Sequence, residues 1–112
     1  MTGARKPAAS RRDALRRLAE SLPGAVVDRP WADDLVYKVG GKIFVFFGAD
    51  DRSPASMMVS CGPDAAEWRD RYPGDITVGP YIGRYGWNSV LLDGDVATDD
   101  LHELLELSYD RV

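Results

Sequence analysis

A pair of glycines between two apolar segments constrains the fold of this chain more than any other feature. Residues 35–39 and 42–47 are rich in β-branched and aromatic side chains, and Gly40-Gly41 separates them. A two-residue hairpin turn of type I′ requires a positive φ at both central positions, which glycine adopts without steric cost. The pattern therefore predicts an antiparallel hairpin with its tip at the two glycines.

The second arm of this hairpin is apolar at every position after its first lysine. In a regular strand Ile43, Val45 and Phe47 point to one side of the sheet, and Phe44 and Phe46 point to the other. Strands that are apolar on both faces are typical of central positions with both faces covered. We therefore expect the second arm to be a central strand.

The rest of the chain alternates between helical and extended patterns. Helices are predicted to begin at Ser10, around Gly62-Pro63-Asp64, and at Thr98 or Asp99, and further strands are predicted at residues 25–28, 56–60 and 87–92. The loop over residues 76–86 is also compatible with a short strand at its start. The order α-β-β-β-β-α-β-α indicates an α+β fold with a mostly antiparallel sheet.

Length and composition predict a single domain. The chain has 112 residues, 45% of them hydrophobic and 29% charged, which fits one globular core. Residues 1–9 lack apolar periodicity and are predicted to be a flexible basic tail before a domain at residues 10–112. One cysteine, the lack of a signal-peptide pattern and a longest apolar run of five residues predict a cytoplasmic protein with no membrane partner.

Charge is distributed unevenly along this acidic chain. Its net charge is −4, but residues 1–20 carry six bases and two acids, whereas residues 93–112 carry seven acids and one base. Arg11, Arg12, Arg16 and Arg17 lie near the start of the first helix. They are compatible with a solvated charged face or with contact to phosphate or an acidic partner.

Two segments are candidate nucleic-acid contacts. In residues 81–88, Tyr85 can stack on bases, Arg84 can contact phosphate, and Asn88 can reach a base edge. Lys38 and Lys42 flank the hairpin tip, which can act as a wing over a phosphate backbone. The alternative interpretation is structural: aromatic core anchors in the loop and lysines that protect a strand edge.

No residue constellation predicts catalysis, a metal site or a cofactor. His102 is the only histidine and has no identifiable orienting partner, and Cys61 has no evident base, although a helix start can lower the pKa of a thiol. Acidic residues at 99, 100, 103 and 106 are explained by the dipole of the last helix. The sequence thus favours a non-enzymatic protein.

Four motifs, in order along the chain, resemble the MmcQ/YjbR family. They are Pro23-Gly24, the hairpin over residues 35–44, Trp87-Asn88-Ser89-Val90 with Leu92-Asp93-Gly94, and Glu103-Leu104-Leu105 with Ser108-Tyr109. The resemblance implies a CyaY-like or frataxin-like layout with helices on one face of the sheet, often described as a double-wing DNA-binding fold. Many relatives carry histidine and lysine before the Trp-Asn pair, whereas this chain has only Arg84 as a base there.

The leading hypothesis is a DNA-binding module that uses Lys38, Lys42, Arg84, Tyr85 and Asn88. One alternative is a protein-interaction adaptor that uses the sheet face or the acidic last helix. Another is an enzyme or small-molecule binder with a pocket lined by the aromatic residues at 81, 85 and 87. These alternatives remain open at the level of sequence.

Overall fold

The computed structural model describes residues 8–31, 34–48, 55–80 and 86–112, which form a six-stranded sheet and three α-helices. In chain order the elements are α1 (Ala8–Ser21), β1 (Val26–Trp31), β2 (Asp34–Val39), β3 (Lys42–Gly48), β4 (Ser56–Ser60), a 3₁₀ turn (Gly62–Asp64), α2 (Ala65–Arg71), β5 (Ile76–Val78), β6 (Trp87–Leu91) and α3 (Thr98–Arg111). The strands lie in the order β1-β2-β3-β4-β6-β5, and every neighbouring pair is antiparallel. The predicted α+β fold is confirmed.

The first helix begins two residues earlier than predicted. Alanine has the highest helix propensity, and α1 extends through Ala8 and Ala9 ahead of the expected cap at Ser10. The helix ends at Ser21, before the predicted stop, and Gly24 adopts a positive φ of 78°. Of the predicted tail at residues 1–9, residues 1–7 lie outside the described part of the chain.

The hairpin predicted from the two glycines is confirmed. Gly40 and Gly41 have φ of 59° and 80°, the positive sign that a type I′ turn requires at both positions. The register pairs Val39 with Lys42 directly across the turn. The hairpin therefore makes β2 and β3 neighbours in the sheet. The two strands lie between β1 and β4.

The predicted alternation of side chains along β3 was wrong at Phe44. The register pairs Ile43 with Lys38 but Val45 with Tyr37, so Phe44 is an extra residue in β3. A bulge of this kind sets two residues opposite one and shifts the alternation. Phe44 therefore joins Val45 in the core, and its ring meets that of Tyr109 in α3 with centroids 5.3 Å apart.

The core lies between the sheet and the three helices. Leu15 and Ala19 of α1, Trp68 of α2, and Leu101 and Leu104 of α3 are all buried in it. The strands contribute alternate residues to the same cluster: Leu35, Tyr37, Val45, Met57, Val59 and Val90. The apolar stripes that the sequence predicted on the first and last helices thus point at one face of the sheet.

The opposite face of the sheet carries a second set of side chains. Phe46 of β3 pairs with Met58 of β4, and Met58 pairs with Ser89 of β6. These residues are half-buried and none belongs to the helix-side core. In the described ranges, helix side chains therefore fill one side of the sheet, and this second face has no helix packed on it.

Of the two outer strands, β1 differs from the prediction in length and β5 agrees with it. The first strand extends to Trp31, beyond the predicted end at residue 28, and β5 is the short strand that the loop pattern allowed. Val26 and Val27 on β1 are 61% and 50% exposed. Among the described residues, no helix is long and apolar enough to cross a membrane.

Candidate ligand-binding surface at the hairpin end

Two hydrogen bonds from the residues just after β4 to Gly86 hold together one end of the sheet. The backbone N–H groups of Cys61 and Gly62 donate to the Gly86 carbonyl oxygen at 2.7 and 3.1 Å. Gly86 has a φ of 84°, and a Cβ added there would lie 2.6 Å from Gly62 Cα. Glycine is therefore required at residue 86 both by its φ and by the close approach of the two backbones.

Ser108 connects α3 to the same end of the sheet. Its hydroxyl donates to the Phe44 carbonyl oxygen at 2.5 Å and accepts the Ser60 N–H at 2.8 Å. One turn later on α3, the guanidinium of Arg111 covers Gly62, where an added Cβ would lie 1.9 Å from Cζ. The start of β3, the end of β4 and the end of α3 are thus neighbours. We call this region the hairpin end.

Lys42 and Lys38 differ in their electrostatic environment. Lys38 Nζ lies 2.9 Å from the Asp28 carboxylate on β1, and this contact lowers the pKa of Asp28. Lys42 is exposed at the hairpin end, and no ion pair to it is found in the described ranges. Of the two predicted wing lysines, Lys38 is paired with a carboxylate. Within the described ranges the charge of Lys42 is not paired, so Lys42 is the better placed to contact a phosphate.

An aromatic pair lies on the face opposite the helices. The rings of Phe46 and Trp87 meet edge to face, with centroids 5.5 Å apart and an interplanar angle of 72°. Trp87 pairs with Ser60 at the start of β6, which places it at the hairpin end. Both residues are half-buried.

Asn88 does not present its side chain to solvent. Its relative exposure is 0%, its amide nitrogen donates to the Ala65 carbonyl oxygen at 3.0 Å, and its amide oxygen accepts from Arg69 Nη1 at 2.8 Å. Its position in β6 points toward the helices, whereas the adjacent Trp87 points to the other face. Asn88 therefore fastens α2 to the sheet, and its side chain is buried in this structure.

Arg84 and Tyr85, together with Tyr81, lie outside the described residues. Gly86, which follows them directly, is described and lies at the hairpin end. The segment that carries Arg84 and Tyr85 therefore connects through Gly86 to Trp87. The predictions for both side chains stand on the sequence alone.

Arg11 is buried, contrary to the solvated face considered for the four arginines of the first helix. It is 5% exposed, and its guanidinium donates to the carbonyl oxygens of Leu92 and Val96 at 3.1 and 2.7 Å, with Gly94 O at 3.3 Å. The sequence does contain a signal for this burial. Arg11 precedes the buried Leu15 by four residues and therefore lies on the same face of the helix.

Cys61 has no sign of nucleophilic activation. The thiol is buried just after β4, and burial is the main cause that raises its pKa from 9.0 to about 11. A hydrogen bond with Asn88 and the charges of Arg111 and Arg69 lower the pKa of this thiol by less than burial raises it. A thiol that stays protonated at neutral pH is a poor nucleophile.

Among the described residues, no group of three or more His, Cys, Asp or Glu side chains is placed to hold a metal ion. Asp100 in the acidic first turn of α3 accepts a hydrogen bond from the Tyr72 hydroxyl, which raises the pKa of Tyr72. This carboxylate therefore links α3 to the end of α2.

Fold and site together define a small α+β domain with an open antiparallel sheet, helices on one face, and one end that carries a half-buried aromatic pair and exposed basic residues. A sequence model of the YjbR family matches residues 20–111, and the chain belongs to this family. The family resemblance predicted from the sequence motifs is thereby confirmed.

Two solved structures share this fold. DR2400 of Deinococcus radiodurans, which has a DUF419 domain, superposes with a TM-score of 0.79 at 29% identity over 87% of this chain and 74% of that chain. A Pseudomonas syringae protein superposes with a TM-score of 0.71 at 19% identity over 89% and 97% of the two chains. No curated protein matches the chain.

Proposed function

We propose that this protein is a non-enzymatic nucleic-acid-binding module whose contact surface is the hairpin end. The observation that carries the proposal is the half-buried Phe46–Trp87 pair on the face opposite the helices, together with the exposed Lys42 at the start of the strand that carries Phe46. Aromatic rings stack on bases of any sequence, and a nearby cation meets the phosphate backbone. Such a surface favours single-stranded over duplex nucleic acid, because only unpaired bases expose their faces.

The basic groups at the hairpin end give the proposal its electrostatic support. Lys42 is exposed, and the Arg111 guanidinium lies over Gly62 nearby. Arg84 belongs to the segment that ends at Gly86 and supplies a third base from the sequence. In this proposal Lys42 and Arg84 contact phosphate, and Tyr85 adds a stacking surface to that of Trp87.

The overall charge of −4 limits the strength of such binding. A few phosphate contacts on an acidic protein give an affinity that falls steeply with salt, because each contact releases condensed counterions. We therefore expect binding at low ionic strength that declines strongly toward physiological salt.

The test is fluorescence anisotropy of labelled single-stranded and duplex DNA, titrated at low and moderate salt with wild type and a Lys42→Ala, Arg84→Ala double variant. Arg12→Ala, Arg17→Ala serves as the control, because it removes the same charge from α1. Wild type and control should bind single strands in a salt-dependent way, and the hairpin-end variant should bind at least about tenfold more weakly. Equal loss in both variants would show non-specific attraction, and no wild-type binding at low salt would refute the proposal.

A second candidate is a protein-interaction adaptor, and one observation favours it. The outermost strand, β1, carries Val26 and Val27 at 61% and 50% exposure, and its outer edge pairs with no other described strand. Strand edges of this kind bind extended peptide segments by adding a strand to the sheet. Pull-down with wild type and a Val26→Lys, Val27→Lys variant tests this function. Partners that both proteins retain equally would argue against the edge.

A further inference from the structure

The outer edge of β1 begins with exposed apolar residues. β1 is the first strand in the sheet order, and its outer edge pairs with no other described strand. Val26 and Val27 are each at least half exposed. An apolar strand edge of this kind is a template for pairing with another chain, which includes a second copy of the same chain. The structure of the next residues, 28–30, therefore bears on whether a strand can add here.

A β-bulge interrupts β1 after its third residue. The register pairs Asp28 with Val36 and Trp31 with Asp34, so three steps along β1 correspond to two steps along β2. Residues 29–30 lie inside this irregularity. A bulge bends its strand and increases the local twist, which disrupts regular pairing. The described pairing of β1 with β2 is therefore regular only over its first three residues.

The two residues inside the bulge offer no backbone donor to an added strand. The Arg29 N–H already donates to Asp28 Oδ1 at 2.8 Å, and Pro30 has no N–H. The other oxygen of the same carboxylate, Oδ2, lies 2.9 Å from Lys38 Nζ, which holds Asp28 to β2. An added antiparallel strand takes hydrogen bonds from alternate residues of an edge. Two consecutive residues without an available N–H therefore interrupt its ladder in either phase.

We propose that Asp28, Arg29 and Pro30 protect the β1 edge from strand addition, including the addition of a second copy of this chain. The protection combines the bulge, the occupied Arg29 N–H and the proline. Residues 26–28 keep regular pairing, and three residues are at the lower limit of strand length in globular proteins. The inference goes beyond the nucleic-acid function. It also limits the second candidate function, because a peptide partner has only residues 26–28 to pair with.

The experiment compares wild type with a release variant, Asp28→Ala, Pro30→Val, which regains both backbone donors. Mass is measured by size exclusion with light scattering, and backbone amide hydrogen exchange is measured at residues 26–28, each over a range of protein concentrations. The mass of the release variant should rise with concentration toward twice that of wild type, and its amides at residues 26–28 should exchange more slowly. Exchange at these amides in wild type should not depend on concentration.

Arg29→Val is the matched control, because it adds a valine inside the bulge but keeps Pro30 and the backbone contact to Asp28. It should behave as wild type. Adding Val26→Lys, Val27→Lys to the release variant should abolish its association, since charged side chains block strand edges.

Pro30→Val alone restores one donor and should associate in the same way to a smaller extent, which keeps the test decisive if the double variant does not fold. Three results would overturn the proposal. They are concentration-independent exchange in the folded release variants, equal association of Arg29→Val, and wild-type association through residues 26–28.

Discussion

Individual buried polar side chains fasten the elements of this protein to each other. Arg11 joins α1 to the segment before α3, Asn88 joins β6 to α2, and Ser108 joins α3 to β3 and β4. Each of these contacts links residues at least 23 positions apart in the chain. Their hydrogen bonds offset the cost of removing polar groups from water.

Arg11 is expected to be a major single contributor to stability on α1. Replacing it with methionine keeps most of its volume but leaves the buried carbonyl oxygens of Leu92 and Val96 without their donors. We expect a loss of about 2 kcal/mol or more in the free energy of unfolding, measured by urea denaturation. The exposed Arg17→Met is the control and should stay within about 0.5 kcal/mol of wild type.

Cys61 should make stability depend on alkaline pH. Its pKa is raised from 9.0 to about 11, so the unfolded chain loses the proton at lower pH than the folded chain. The stabilisation is fully present below pH 9 and is lost as pH rises from 9 to 11, by an amount on the order of 2 kcal/mol.

Urea denaturation of wild type and Cys61→Ala at pH 7, 9 and 10.5 measures this effect. Tyr37, whose pKa is raised mainly by burial, titrates in both proteins. The difference between the two proteins therefore isolates the thiol. A difference in stability that stays constant from pH 7 to 10.5 would contradict the assigned shift.

At the scale of elements, glycines act through two separate physical effects. Gly41 and Gly86 both have a positive φ, which residues with a side chain adopt only with strain. A Cβ at Gly41 would meet nothing within 4 Å, whereas one at Gly86 would lie 2.6 Å from the Gly62 backbone. The first glycine serves a turn, and the second serves the close approach of two chain segments.

Alanine substitutions at these two glycines should separate strain from steric conflict. Gly41→Ala should cost about 1 kcal/mol in the free energy of unfolding, since only the backbone conformation is disfavoured. Gly86→Ala should cost at least about 3 kcal/mol, because backbone atoms must also move. Thermal and urea unfolding provide the comparison. Equal costs for the two substitutions would show that the Gly86–Gly62 contact relaxes freely.

At the scale of the whole molecule, the helices and the sheet share one core. Residues of α1, α2, α3 and the central strands belong to a single buried cluster. The described helices contribute to this one cluster and do not form separate cores. Short helices that are isolated in water have only marginal stability. The described elements should therefore form and melt together.

Cooperative unfolding is the resulting prediction. Urea transitions followed by far-UV circular dichroism and by tryptophan fluorescence should coincide, because Trp68 reports on α2 and Trp87 on the face opposite the helices. A fluorescence transition clearly separated from the circular dichroism transition would indicate that the two sides of the sheet unfold independently.

Sequence reasoning placed most elements but not the orientation of every side chain. Local signals located β4 at Ser56–Ser60 and the hairpin turn, since glycine conformation and strand pattern act over a few residues. The same reasoning predicted that Asn88 contacts a ligand, whereas its side-chain amide forms hydrogen bonds with Ala65 and Arg69. Of the predicted site, only Lys42 is described as exposed with an uncompensated charge. Which strand face a residue occupies depends on pairing partners far away in the chain.

The sequence by itself determined the α+β class, the hairpin and the family of this protein, because propensity, periodicity and glycine conformation are properties of short segments. Tertiary structure decided the rest. The bulge at Phe44 reversed the expected facing of a core ring, and the helix-to-sheet packing buried Arg11 and Asn88. It also aligned Phe46, Met58 and Ser89 from three strands on the face opposite the helices. These outcomes depend on register and long-range contact, which only the folded chain specifies.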